Sequence, residues 1–306
     1  MSPGNFEIPV TDQEVADLRR FLEVLNQALD SFAALELPHP PPPGSPMAGD
    51  DRHMGGYPVS LYTHASMVAS AENLASLRDL LVRSETDKRI DIGVRGFGPF
   101  AVIRAAMESA AQVCWVLSPP GRWDRIARRW ALRLDELRNQ GEAMEDMMRG
   151  ASGDASTHFF GPDVDTDTLE REAEKSREKL AANQRRIRQL VDDAPDALTW
   201  TMVKNAKDRA RWTRIFADLE AANPQLEQFR LRYGWRVCAA LSHSKEWAHL
   251  STLDLHPLKA NPETASTEYA VGVNYSALAT YGHMAVRLLD YAVQLHDQRT
   301  TPHRAR

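Results

Sequence analysis

Residues 99–120 read "PFAVIRAAMESAAQVCWVLSPP". Pro99 suits the first turn of a helix, where a missing N–H costs nothing, and Pro119 and Pro120 stop it because neither can extend the hydrogen-bond ladder. The text between them is apolar nearly all round, which places this helix at the centre of a bundle. A polar stripe interrupts it: Arg104, Glu108 and Gln112 recur every fourth residue on one face. A charge withdrawn from water has to be paired, so the stripe has two readings. It is either an ion pair that sets helix register or one wall of a ligand cleft.

The flanking segments also read as helices. Residues 59–83 carry Leu61, Val68, Leu74, Leu77 and Leu81 on a helical stripe, with His64 at its edge. Further upstream, Thr11 stands three residues before Glu14 in a capping-box arrangement that opens an amphipathic N-terminal helix within 1–36. Residues 37–58 combine seven prolines with four glycines, which predicts a long exposed loop tying that helix loosely to the rest. The alternative for this stretch is an extended proline-rich ligand for an aromatic groove. Downstream, 121–149 and 166–192 are long, charged and helical in period, a charged helical arm over 121–192 with few apolar positions. Helices follow over 195–221 and 225–249. "STLDL" and "EYAVGV" are the only β-like text and predict at most one short hairpin near 251–273. A final helix over 274–297 precedes a polar tail, 299–306, expected to be disordered. The expected fold is an all-α bundle of about seven to nine helices with its main domain over 59–298.

With 306 residues, 43% of them apolar, the chain can bury a sizeable core. The formal charge of −5 argues against a surface coated with base for nucleic acid, although a local patch escapes that average. Cys114 and Cys238, the only cysteines, lie in apolar helical runs and read as buried free thiols, which favours a reducing cytoplasm. No run of about 18 uninterrupted apolar residues occurs and the N-terminus lacks a basic-then-hydrophobic pattern, so neither a membrane span nor a secretion signal is expected. Gly93, Gly96 and Gly98 match no phosphate-binding fingerprint, so no nucleotide cofactor is expected. His243, His249, Asp254 and His256 are ligand types without a recognised spacing, and no metal centre is expected either.

The segment "RVCAALSH", 236–243, begins and ends on polar residues. Seven helical steps turn through about 700°, so Arg236 and His243 fall within about 20° of one face and about 10 Å apart along the axis. Arg232 lies one turn earlier on that face. His243 has two readings: a helix-end residue that complements the dipole, or a site residue. Ser242 lies outside any nucleophile elbow. Basic clusters at "RWDRIARRWALR", "KSREKLAANQRRIR" and "KNAKDRARWTR", with Trp123, Trp130, Trp200 and Trp212 among them, would suit RNA or an acidic partner; a solvated outer face explains them equally.

The order "RAAMESAAQVCWVLSPP", an Arg-rich helix, then "YGWRVCAALSHSKEWA" resembles a broad group of uncharacterised bacterial all-helical proteins, loosely over residues 60–295. More distantly, Arg236 to His243 is similar to the Arg-x(4–6)-His signature of HEPN-domain ribonucleases, dimeric helical bundles that cleave RNA without metal. That resemblance implies that Arg236 contacts the scissile phosphate and His243 moves a proton at the ribose 2′-OH or the leaving oxygen. Val237 stands where those ribonucleases typically carry a polar residue. Two functions therefore stay open. One is a metal-independent ribonuclease, expected as a homodimer, with Arg236 and His243 catalytic and Arg104, Glu108, His64 and Arg232 as a supporting polar site. The other is a non-catalytic helical module that holds RNA or a protein partner through the charged arm.

Overall fold

The computed structural model describes residues 10–35, 37, 40–86, 89–93, 97–151, 166–194, 198–261 and 266–302. The protein is all-α. Among the described residues the helices are α1 (Asp12–Ala33), α2 (Pro46–Asp51), α3 (Val59–Leu81), α4 (Gly98–Leu117), α5 (Arg122–Ala151), α6 (Thr166–Asp192), α7 (Trp200–Arg209), α8 (Trp212–Ala222), α9 (Pro224–Glu227), α10 (Leu231–Ser242), α11 (Glu246–Thr252) and α12 (Tyr275–Thr300). Nine have ten residues or more; the short α2, α9 and α11 take the number past the expected seven to nine.

Helix α4 is the axis of the bundle. α3, α5, α8, α10 and α12 all pack on it, and Val113 through Leu117 are fully buried. It is long and apolar enough to cross a membrane, but that apolar surface is spent on these helices. α1 closes the opposite side of α12. Its capping box forms as the sequence predicts, and Glu14 reaches further, accepting from the Tyr275 N–H at 3.2 Å. Ser276 donates to Asp17 at 2.7 Å. Gly282 sits where a Cβ would lie 2.3 Å from the Phe21 ring, so only glycine lets the two helices approach this closely.

Several expectations are revised. The proline-rich segment 37–58 is not simply an exposed loop. Ser45 caps α2, and Met47, Asp50 and Met54 are wholly buried, because the prolines precede the helix, sit at its first turn or, as Pro58, follow it at the start of α3, and leave its ladder intact. The first third of the charged arm is core: Ile126, Trp130 and Ala131 are fully buried. Beyond it, α5 and α6 do form a hairpin, with Gly141 beside Leu180 and Leu134 near Arg188 giving antiparallel directions. Its seam is thin, carried on α6 by Ala173, Leu180 and Ile187 at seven-residue intervals. Arg299 and Thr300 belong to α12 and not to a disordered tail; Arg299 donates to the carbonyls of Leu117 and Pro119. Residues 303–306 lie outside the described residues.

Two antiparallel hairpins complete the fold. β3 (Leu253–Asn261) pairs with β4 (Ser266–Val273), where the β-like text predicts it. β1 (Val82–Thr86) and β2 (Arg89–Ile92) form a second one that the short polar text at 82–92 does not signal.

Arg125, Arg128 and Arg129 of "RWDRIARRWALR" point inward, while Arg122 stays exposed. Arg125, 2% exposed, holds the buried Asp50 with two bonds of 2.7 and 2.9 Å and donates to the carbonyls of Pro119 and Pro120. Burial pushes the Asp50 carboxyl above its ordinary range even with Arg125 and Arg122 beside it. Arg128 lies over Trp115, and Arg129 over Tyr62 at 3.9 Å. This cluster clamps α2 and α3 to the α4–α5 elbow. Asp50→Ala, which strands a buried guanidinium, should cost about 3–5 kcal/mol in denaturant unfolding. Lys175→Ala, in an exposed i,i+3 pair on α6, should leave the midpoint unchanged.

Candidate functional site

The site forms where α10 ends against α4. The Lys245 N–H reaches the Ala240 carbonyl at 2.9 Å and the Ser244 N–H reaches Leu241 at 3.1 Å. This is a Schellman closure, and it needs a left-handed residue after the cap. Ser244 takes that conformation, with φ of 51°. A serine there costs about 1–2 kcal/mol that glycine would not. The closure fixes His243 at the C-cap, with its side chain exposed and directed to α4.

Arg104 projects from α4 to meet it. Its Nε donates to Glu108 Oε1 at 2.8 Å, and its Nη1 lies 3.3 Å from Ser242 Oγ and 3.0 Å from His243 Nε2. A guanidinium can only donate, so Nε2 accepts and the ring proton sits on Nδ1 in this arrangement. Glu108 Oε1 takes a second bond, from the indole N–H of Trp235 at 2.8 Å. The third member of the stripe turns the other way: Gln112 Oε1 accepts from the Tyr62 hydroxyl of α3 at 2.7 Å. Arg104 and Glu108 are about three-quarters shielded, at 25% and 20% side-chain exposure, so the pair is half-open to solvent along one edge.

The structure thus joins Arg104, Glu108, Ser242 and His243. The residues missed by sequence reading are Trp235, which donates to Glu108, and Ser242, whose hydroxyl oxygen accepts from Arg104. A half-buried indole N–H favours an acceptor, and Glu108 required donors, so the signal lay in pairing the two demands across helices. Arg236 and Arg232 are exposed on the outer face of α10; Arg236 makes no hydrogen bond or ion pair among the described residues, and Arg232 is bound through its backbone N–H to Glu220. His64 does not join them. α3 runs antiparallel to α4, with Tyr62 at Gln112 and Ser70 at Ala106, so His64 is level with the far half of α4. There its charge acts on His296, which is buried at 2% exposure.

The remaining candidates separate too. His249 stacks on Phe97 at 4.6 Å, Asp254 accepts from Asn274, and the side chain of His256 lies outside the described residues. Among the described residues no three His, Cys, Asp or Glu side chains converge in a metal-binding group. Cys114 and Cys238 are buried free thiols, both raised in pKa by burial.

Glu108→Ala should leave the Arg104 guanidinium and the Trp235 N–H without their acceptor, lowering stability by about 1–3 kcal/mol and shifting tryptophan emission. A pH effect follows from His296. Burial, then the neighbouring His64, bring its pKa from 6.5 down to about 4, against the opposing pull of Asp297. The unfolded chain takes up this proton before the folded one does, so the contribution is intact above about pH 6.5 and is lost as pH falls towards 4. Thermal unfolding should show that loss in the wild type and a flatter profile in His296→Gln.

No protein-family model, curated protein or solved structure matches the chain.

Proposed function

We propose that the protein is a HEPN-like, metal-independent ribonuclease whose site is His243 with Arg236 and Arg104. The observation that carries this reading is the 3.0 Å contact between Arg104 Nη1 and His243 Nε2. It places a basic ring nitrogen and a fixed positive charge at one exposed helix end. The Arg-x(6)-His spacing adds Arg236, an exposed arginine on the same helix.

In this reading a ribose 2′-OH displaces Arg104 at Nε2 and gives its proton to His243. The 2′-oxygen then attacks the adjacent phosphorus, and the bond from phosphorus to the 5′-oxygen breaks. The 5′-oxygen takes up a proton, so the products are a 2′,3′-cyclic phosphate and a 5′-hydroxyl with no water consumed. Arg104, oriented by Glu108, and Arg236 supply donors to the phosphate oxygens as charge builds on them. One histidine per chain serves one of the two proton transfers; a second copy in a homodimer would bring the other.

A second reading has its own support. Glu108 already satisfies both Arg104 and Trp235, an arrangement sufficient to lock α10 on α4 in a non-catalytic binding module. Incubation with end-labelled RNA in excess chelator separates them. Cleavage should occur, leave cyclic-phosphate ends, and fall by about 100-fold or more in His243→Ala and in Arg236→Ala. Arg236 is exposed and makes no ion pair among the described residues, so its removal should leave circular dichroism unchanged. No cleavage, or equal cleavage by all three proteins, leaves the binding module.

A further inference from the structure

Away from His243, the hairpin of α5 and α6 meets α7 along a hollow of about 650 Å³, and a second hollow of about 460 Å³ continues from it past α8 to Trp235. Arg138 and Lys207 line both, so the two form one groove. Five exposed cations border it: Arg138, Arg188, Lys204, Lys207 and Arg211. In a chain of net charge −5 this is a local reversal. Three carboxylates lie among them: Asp135 is paired with Arg138 at 2.6 Å, Asp192 takes only the neutral Trp200 N–H at 3.0 Å, and Asp208 is the third, so four cations stand against two carboxylates. Arg188, Lys204, Lys207 and Arg211, by contrast, make no ion pair among the described residues.

The groove also carries three half-buried indoles, each held in place. Trp200 is pinned by Asp192 and lies under Arg188 at 5.9 Å. Trp235 is pinned by Glu108 and stacked on Phe216 at 5.6 Å, and Trp212 leans on the same Phe216 at 6.3 Å. Fixed aromatic faces alternating with unpaired cations are what a chain of phosphates and unstacked bases requires. Each base stacked on an aromatic side chain contributes about 1–3 kcal/mol, and a duplex cannot offer its bases this way. An acidic peptide would use the cations and leave the indoles idle.

We propose that this groove binds single-stranded nucleic acid, its phosphates against Arg188, Lys204, Lys207 and Arg211 and its bases on Trp200, Trp212 and Trp235. Trp235 precedes His243 by eight residues, about 12 Å of helix, so a strand leaving the groove at Trp235 passes Arg236 and comes to His243. The choice of RNA as that strand rests on the ribonuclease reading; the preference for a single strand rests on the groove's own residues.

The test is fluorescence anisotropy of the full-length protein with labelled oligo(dT) and with 2′-O-methyl oligo(U), which lacks the attacking hydroxyl and cannot be cleaved. Both should bind, quench tryptophan emission, and outcompete a duplex of equal length and a poly-glutamate of equal charge. Lys204→Glu with Lys207→Glu should weaken binding by about tenfold or more and flatten its dependence on salt. The same charge change at Lys175 and Arg177, on the far part of α6, should not. Trp212→Ala should weaken binding and reduce the quench. Equal loss from both charge-reversal pairs, binding of duplex or poly-glutamate as tight as that of the single strand, or no binding at all would overturn the groove. Cleavage without these groove effects would leave the ribonuclease standing and remove the groove; groove binding without cleavage would do the reverse.

Discussion

Enclosing α4 is the constraint on which the rest of the structure depends. A helix apolar on nearly every side cannot tolerate water, so five other helices cover it, and its few polar groups must then be satisfied from within. Arg104 and Glu108 are met by Ser242, His243 and Trp235 of α10 and its cap, and Gln112 by Tyr62 of α3. The stripe acts as a ruler. It sets how far α3 and α10 slide along the axis, because a shift of one turn would strand all three side chains. The polar cluster at His243 is therefore a consequence of core packing before it is anything else, and any chemistry there borrows rigidity that the fold had to supply.

The same logic recurs at the α4–α5 elbow. Pro119 and Pro120 end the central helix and leave carbonyls that no helix can use. Arg125 collects both of them, and Arg299, from the last turn of α12, takes a second bond to Pro119. Asp50 balances the charge from α2. Four separate parts of the chain thus converge on one kink, and the short helix of the proline-rich segment takes part because it delivers that carboxylate.

Where a feature depended on local spacing, it was legible in the sequence. The capping box at Thr11 and Glu14, the prolines bounding α4, the polar stripe and the hairpin at 253–273 all follow from residues close together in the chain. What stayed hidden depended on partners far apart. The arginines of α5 look like a solvated face because Asp50, Tyr62 and Trp115, which draw them inward, are not adjacent to them. His64 looked like a neighbour of Arg104 because both sit on core-facing helices; only the antiparallel register of α3 separates them. Arg236 and His243 do share one helix, yet the partner that reaches His243 is Arg104, 139 residues earlier.

One further consequence concerns the order of assembly during synthesis. α1 packs on α12, and the Glu14 bond to Tyr275 spans 261 residues. The apolar face of α1, with Leu18, Phe21, Leu22 and Leu25, meets α3 early, but its larger cover, α12, is synthesised long after it. α4 likewise waits for α10 and α12. Contacts this distant are slow to form, and the surface awaiting them is prone to non-native association. The nascent chain thus carries part of the apolar surface of α1 and α4 uncovered until α12 follows, and a chain released before α12 would keep it so.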